Sequence, residues 1–87
     1  MKMEIIMYTG DNCPKCNRAK VMLESCPVDF DLVERNVDKD AKYKQELTET
    51  LNSHTLPTFD IYDGTTRIDI LRGFDENQGK LRNILGL

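Results

Sequence analysis

No run of apolar residues in this chain approaches the ~20 that a membrane-crossing helix requires, so a helical membrane span is not expected. Basic residues are not in excess either. Twelve Lys and Arg against 15 Asp and Glu leave a net charge of −3 with the two signs interspersed. Such a surface offers no basic stripe for a nucleic acid. Cysteine is scarce and odd in number, three in all, which does not suit a disulfide scaffold. Length is short as well: 87 residues fit one small domain, 1–87, with a single modest core and no deep enzyme pocket. Repeats, linkers and low-complexity stretches are missing. The stretch Met1 to Gly10 holds no signal-peptide core, because Glu4 interrupts it and no small-residue cleavage site follows. A cytoplasmic location and a monomer are the expectations.

What the chain does have is Cys13-Pro14-Lys15-Cys16, after an apolar, strand-like segment and at the opening of a helical pattern. Positions three apart share a helix face, so two thiols at this spacing can reach each other. A helix N-terminus presents unpaired N–H groups and a positive dipole end, and both favour a thiolate at the first cysteine. This is the arrangement that dithiol–disulfide exchange needs. Cys13 is the expected nucleophile and Cys16 its resolving partner.

The remaining pattern alternates strands and helices. Met3 to Tyr8 is apolar on both faces, as a strand covered on two sides would be. Gly10-Asp11-Asn12 reads as a turn with Asn12 as the N-cap and Pro14 near the first helical position. Ala19, Met22, Leu23 and Cys26 make one apolar helix face, and Pro27 closes it. Phe30, Leu32 and Glu34 alternate with Asp31, Val33 and Arg35 in a second strand ending at Asn36-Val37-Asp38. Asp38 or Asp40 caps a second helix that buries Tyr43, Leu47 and Leu51. Thr58 to Tyr62 reads as a third strand, and Asp63-Gly64 turns it into a fourth, in which Ile68 and Ile70 alternate with Arg67 and Asp69. Asp75, with Gln78 three residues on, starts a last helix carrying Leu81, Ile84 and Leu85 inward. The predicted order is βαβ, α, ββα. A right-handed crossover makes the first two strands parallel, and the hairpin makes the last two antiparallel.

That order, with Tyr8-Thr9…Cys13-Pro14-Lys15-Cys16, Val28-Asp29-Phe30…Asn36-Val37-Asp38, Thr55-Leu56-Pro57 and Gly73-Phe74-Asp75, resembles the glutaredoxin family. The resemblance spans nearly the whole chain. It implies an α/β thioredoxin fold: a four-stranded mixed sheet flanked by three helices. It also implies a thiol–disulfide oxidoreductase with no tightly bound cofactor, and glutathione as co-substrate. Tyr8, Lys15, Leu56, Pro57, Phe74 and Asp75 would then be the substrate- or glutathione-binding residues. Pro57 would follow a cis peptide bond facing Cys13, and the Leu56 backbone would pair with the bound substrate. Phe74-Asp75 would hold the γ-glutamyl end of glutathione. The chain departs from the family where Gly10 replaces a basic residue, Lys15 a tyrosine and Arg72 the first of two glycines. It is similar also to the glutaredoxin-like redoxins that thioredoxin reductase reduces. Ribonucleotide reductase is the disulfide partner that the resemblance suggests.

Competing readings use the same residues. C-x₂-C is also metal-ligand spacing, and Cys26 with His54 would have to complete a Cys₃His zinc site. A cluster bridged between two chains, or a non-catalytic scaffold, are further alternatives. Cys26, on the apolar helix stripe, reads as core filler. His54 is a loop residue with no assigned role, since exchange needs no separate base once the thiolate has formed. Lys15 and Arg18 would favour the Cys13 thiolate and Asp11 would oppose it. Asp75 would cap the last helix, and Phe74 would be half core and half site wall.

Overall fold

The structure, a computed structural model, describes residues 2–87. In chain order it has β1 (Met3–Thr9), α1 (Pro14–Glu24), β2 (Phe30–Asn36) and α2 (Ala41–Gln45), which runs on into a π-helical stretch, Glu46–Thr50. After these come β3 (Thr58–Asp63), β4 (Thr66–Arg72) and, beyond a 3₁₀ turn at Asp75–Asn77, α3 (Gln78–Leu85). The strands form one sheet in the order β2-β1-β3-β4. β1 and β2 are parallel, and β3 runs antiparallel to both β1 and β4. The expected four-stranded mixed sheet with three helices is what the chain forms.

Alternation along the strands sends side chains to two cores. Ile5 and Met7 of β1, with Phe59 and Ile61 of β3, pack under α1 and α3 against Cys16, Ala19, Leu23, Phe74, Leu81 and Leu85. Ile6 and Tyr8 face the other way, onto Leu47 and Leu51. β1 is therefore buried on both faces, as its unbroken apolar run implied.

The edges behave differently. β2 has a single neighbour, and Leu32 and Val33 remain 38% and 37% exposed despite their alternation. In the β3–β4 pairing, Ile61 opposes Asp69 and Tyr62 opposes Arg67, so Ile68 is the extra residue of a bulge. It stands 44% exposed and does not share the inward face of Ile70.

Two expected caps are corrected, and the choice left open for α2 is decided. Pro14 takes the first helical position, which makes Cys13, not Asn12, the N-cap of α1. Asp40, not Asp38, caps α2 by accepting the Lys42 N–H at 2.9 Å, while Asp38 accepts the Asp11 N–H at 2.8 Å. Asp75 does not cap α3; a 3₁₀ turn intervenes, and its carboxylate points to α1 instead. Tyr43, expected inward, is half-buried, with the Arg35 guanidinium 5.7 Å from its ring centre.

Candidate active site

Cys13 and Cys16 are joined as a disulfide, with their Cα atoms 5.2 Å apart. The Cys16 N–H donates to Cys13 Sγ at 3.2 Å, so the first sulfur sits where an N-cap side chain accepts a helix N–H. The two sulfurs differ in access. Cys16 is 1% exposed and belongs to the core under α1, whereas Cys13 lies at its margin, partly open. Helix geometry thus produces one reachable and one hidden sulfur from two identical residues.

Leu56-Pro57 is joined by a cis peptide bond, and Leu56, like Cys13, packs at the margin of the core that holds Cys16. Pro57 is buried, and Leu56 bridges both cores with partial exposure. A buried hydroxyl cluster holds this turn. Thr58 Oγ1 donates to the Thr55 carbonyl at 2.6 Å, pairs with Ser53 Oγ at 2.8 Å, and Ser53 Oγ accepts the Thr55 N–H at 3.2 Å. Among the described residues, the Leu56 N–H and C=O make no hydrogen bond within the protein. A main-chain donor and acceptor left free in this way can pair with an extended segment. Ser53 and Thr58 were not foreseen from sequence. The signal was hydroxyl residues on both sides of a proline turn, which compete for backbone groups in such places.

The third wall is Gly73-Phe74-Asp75. Gly73 has φ +98°, its N–H donates to the Pro57 carbonyl at 2.8 Å, and a Cβ there would collide with the Glu76 carboxylate. Phe74 is 4% exposed and packs on the core that holds Cys16, so it is core rather than half core and half wall. The Asp75 carboxylate accepts two hydrogen bonds from Arg18 Nη2, at 3.0 and 3.2 Å, and Lys15 Nζ lies 3.8 Å away. The Arg18 hydrogen bond, against an opposing effect of desolvation and with the charges of Arg18 and Lys15 beside it, holds the Asp75 carboxyl below the ordinary value of 3.8. A carboxyl with a depressed pKa keeps its pairing above the ordinary range and loses it as pH falls through the depressed value. In an NMR titration, Asp75 is expected to protonate below an ordinary aspartate, and Arg18→Gln to move its midpoint back up.

Other expected site residues lie elsewhere. Tyr8 is 2% exposed on the α2 side of the sheet, where its hydroxyl donates to Glu46 at 3.0 Å and accepts from Arg35 at 3.1 Å. Burial pushes its phenol pKa up, and the side chain is not free to meet a ligand at Cys13. Arg72 is turned to the same side, donating to the Leu51 carbonyl, so it does not crowd the cysteines. At Gly10 a Cβ would come within 2.9 Å of Leu56 Cδ1 and 3.1 Å of Asp38 Oδ2, both ends of side chains that can swing aside, so a larger residue there would need only small shifts. Cys26 packs against the α1 core, His54 is exposed, and no group of three His, Cys, Asp or Glu among the described residues is placed to hold a metal. A polar groove of about 530 Å³ at the carboxyl ends of β1 and β2 is lined by Gly10, Asn17, Lys20, Glu34 and others, but by neither cysteine.

The chain is similar to known proteins. A family model described as Glutaredoxin matches residues 5–65. No curated protein matches the chain. Among solved structures, a point mutant of the thioredoxin-like protein BC3987 is 28% identical, with a TM-score of 0.76 and 94% of each chain covered. Oxidised thioredoxin from Plasmodium falciparum is 22% identical, with a TM-score of 0.71, covering 98% of this chain and 79% of that one. Thioredoxin from Fasciola hepatica, at 16% identity and a TM-score of 0.69, covers the same shares and shares the fold. The model match takes in well over half the chain, including the cysteine pair and the cis-proline turn, and so this chain belongs to the glutaredoxin family of thiol–disulfide oxidoreductases.

Proposed function

We propose that the chain reduces protein disulfides through a two-thiol cycle. The Cys13 thiolate attacks one substrate sulfur; an S–S bond forms between them, and the other substrate sulfur leaves as a thiolate. Cys16 then attacks the Cys13 sulfur, closing the Cys13–Cys16 bond and releasing the second substrate thiolate. Two electrons pass to the substrate, and the site is left oxidised. The observation that carries this reading is the unequal access of the two sulfurs on one helix turn. A partly open Cys13 suits the attacking role, and a buried Cys16 can meet only a partner already bonded to its neighbour. Leu56 lends main-chain pairing to the substrate, and Pro57 and Lys15 flank it.

Glutathione is the proposed co-substrate that returns the disulfide to the dithiol, two molecules becoming glutathione disulfide. A second reading, reduction by thioredoxin reductase, is favoured by Gly10 itself, which offers no basic side chain for a glutathione carboxylate. Ribonucleotide reductase is the protein acceptor proposed on family grounds. The cytoplasm is the proposed setting, since a working dithiol must be kept reduced there.

The deciding experiment follows NADPH consumption with a small disulfide substrate in two mixtures. One holds glutathione and glutathione reductase, the other thioredoxin reductase alone. Turnover is expected in the first mixture. Turnover only in the second assigns the flavoprotein as the direct reductant, and turnover in neither overturns the proposed activity.

A further inference from the structure

Asp11 stands two residues before Cys13, so chain geometry keeps their Cα atoms within about 7 Å. A carboxylate this close can compete with a Cys13 thiolate for the positive end of α1. That end has few donors: Pro14 carries no N–H, and the Cys16 N–H already points to Cys13 Sγ. The fold turns the carboxylate elsewhere. Asp11 Oδ1 accepts from Nδ2 of Asn36, the last residue of β2, at 3.0 Å. The Asn36 side chain is itself fixed, because its Oδ1 accepts the Asp38 N–H at 2.8 Å. Asp38 Oδ2 in turn accepts the Asp11 N–H at 2.8 Å, so three bonds tie the cysteine loop to the turn after β2. Asp11 and Asn36 line the polar groove together with Lys20, Glu34 and Lys39, and neither cysteine lines it. The other charges around the cysteine helix are paired among themselves. Lys20 meets Glu34 at 2.7 Å, and Lys15 and Arg18 meet Asp75 from the loop before α3.

We propose that Asn36 is a positioning residue for the thiol chemistry: its carboxamide holds the Asp11 carboxylate in the groove beside β2 and so keeps it from the helix end where the Cys13 thiolate forms. This rests on the oxidoreductase reading above. Both side-chain bonds of Asn36 are solvent-exposed, so its replacement leaves the core intact.

The test uses the protein reduced with dithiothreitol and desalted, and follows its alkylation by iodoacetamide as a function of pH. The thiolate is the reacting form, and Cys13 is the partly open sulfur, so the midpoint of the profile reports its ionisation. Peptide mass spectrometry identifies the alkylated residue. Four proteins complete the cycle: wild type, Asn36→Ala, Asp11→Asn and the double variant. With Asp11 in place, Asn36→Ala is expected to raise the midpoint and to slow alkylation on the acid side about two- to threefold, the effect of one carboxylate about 7 Å away in a watery setting. In the Asp11→Asn background the same change should leave the midpoint where it is. Asp11→Asn removes the charge but keeps an oxygen that accepts from Asn36, so any loosening of the loop contributes equally to both arms and drops out of the comparison. Equal shifts in the two backgrounds, or no shift in either, would overturn the proposal. A reduced wild type that leaves insulin disulfides intact would remove the oxidoreductase reading instead, while the alkylation profiles would still decide what Asn36 does to Cys13.

Discussion

Cys13→Ser is expected to lower disulfide turnover by about a thousandfold or more, to the level of the uncatalysed thiol reaction, because the hydroxyl that replaces the thiol is not ionised near neutral pH. The same substitution at Cys16 should behave differently. Cys16 is buried and acts only on a bond that Cys13 has made, so Cys16→Ser should stall on protein disulfides as a trapped mixed disulfide. Reduction of glutathione mixed disulfides, in which a second glutathione can take the place of Cys16, should persist. The coupled NADPH assay gives the rates, and mass spectrometry of the stalled protein shows the adduct. Substantial turnover in Cys13→Ser, or an adduct on Cys16 in wild type, would reverse the assigned roles. Cys13→Ser should leave the fold intact, since Cys13 lies at the core margin, while Cys16→Ser buries a hydroxyl in the core and should cost about 1–3 kcal/mol without unfolding the chain. Activity and stability therefore separate most cleanly in Cys13→Ser.

The placement of both cysteines at the start of one helix was legible in the sequence because it depends on local rules. A strand, a turn, Pro14 at a helix start and a three-residue spacing suffice to place both cysteines. The element order followed from the same kind of evidence, and so did the doubly buried β1. Features that depend on more distant contacts were not legible. Nothing in Asp38, Asp40 or Asp75 taken alone tells which carboxylate caps its own helix. Asp38 is drawn to the Asp11 N–H and Asp75 to Arg18, 57 positions away, and only Asp40 keeps the local bond. Tyr8 shows the same limit. Its family position suggested a ligand contact, yet strand alternation places it beside Ile6 and beneath Leu47, where Glu46 and Arg35 occupy its hydroxyl. Ile68 looked like an inward strand residue until the bulge displaced it, and bulges leave little trace in a hydrophobic pattern. The hydroxyl cluster of Ser53, Thr55 and Thr58 was hidden because hydroxyl residues beside a proline are common in exposed turns, and only the folded chain buries Ser53 and Thr58 against each other.

Phe74→Ala is expected to cost about 3–5 kcal/mol of folding stability, the range for emptying a buried aromatic site. Small domains have only about 5–15 kcal/mol in total, so the variant should lie near the edge of stable folding. Its thermal midpoint should fall by roughly 12–40 °C at this chain length. Phe74→Leu, which keeps most of the volume, should lose about 1.5 kcal/mol. Urea titration followed by circular dichroism measures both. The size of the effect follows from position: Phe74 is 4% exposed and meets Cys16 and Leu81 in one core, although it belongs to the loop that forms the third wall of the site. That loop is pinned at one end by the Gly73 N–H on the Pro57 carbonyl and at the other by Asp75 on Arg18. The ring lies between these two anchors and holds the backbone down onto α1. If Phe74 were a substrate wall, Phe74→Ala would keep its urea midpoint and raise KM for a protein disulfide. A loss of stability, with KM changed less than about twofold in Phe74→Leu, would place its contribution in the core, where it fixes the distance between the cysteine helix and the cis-proline turn.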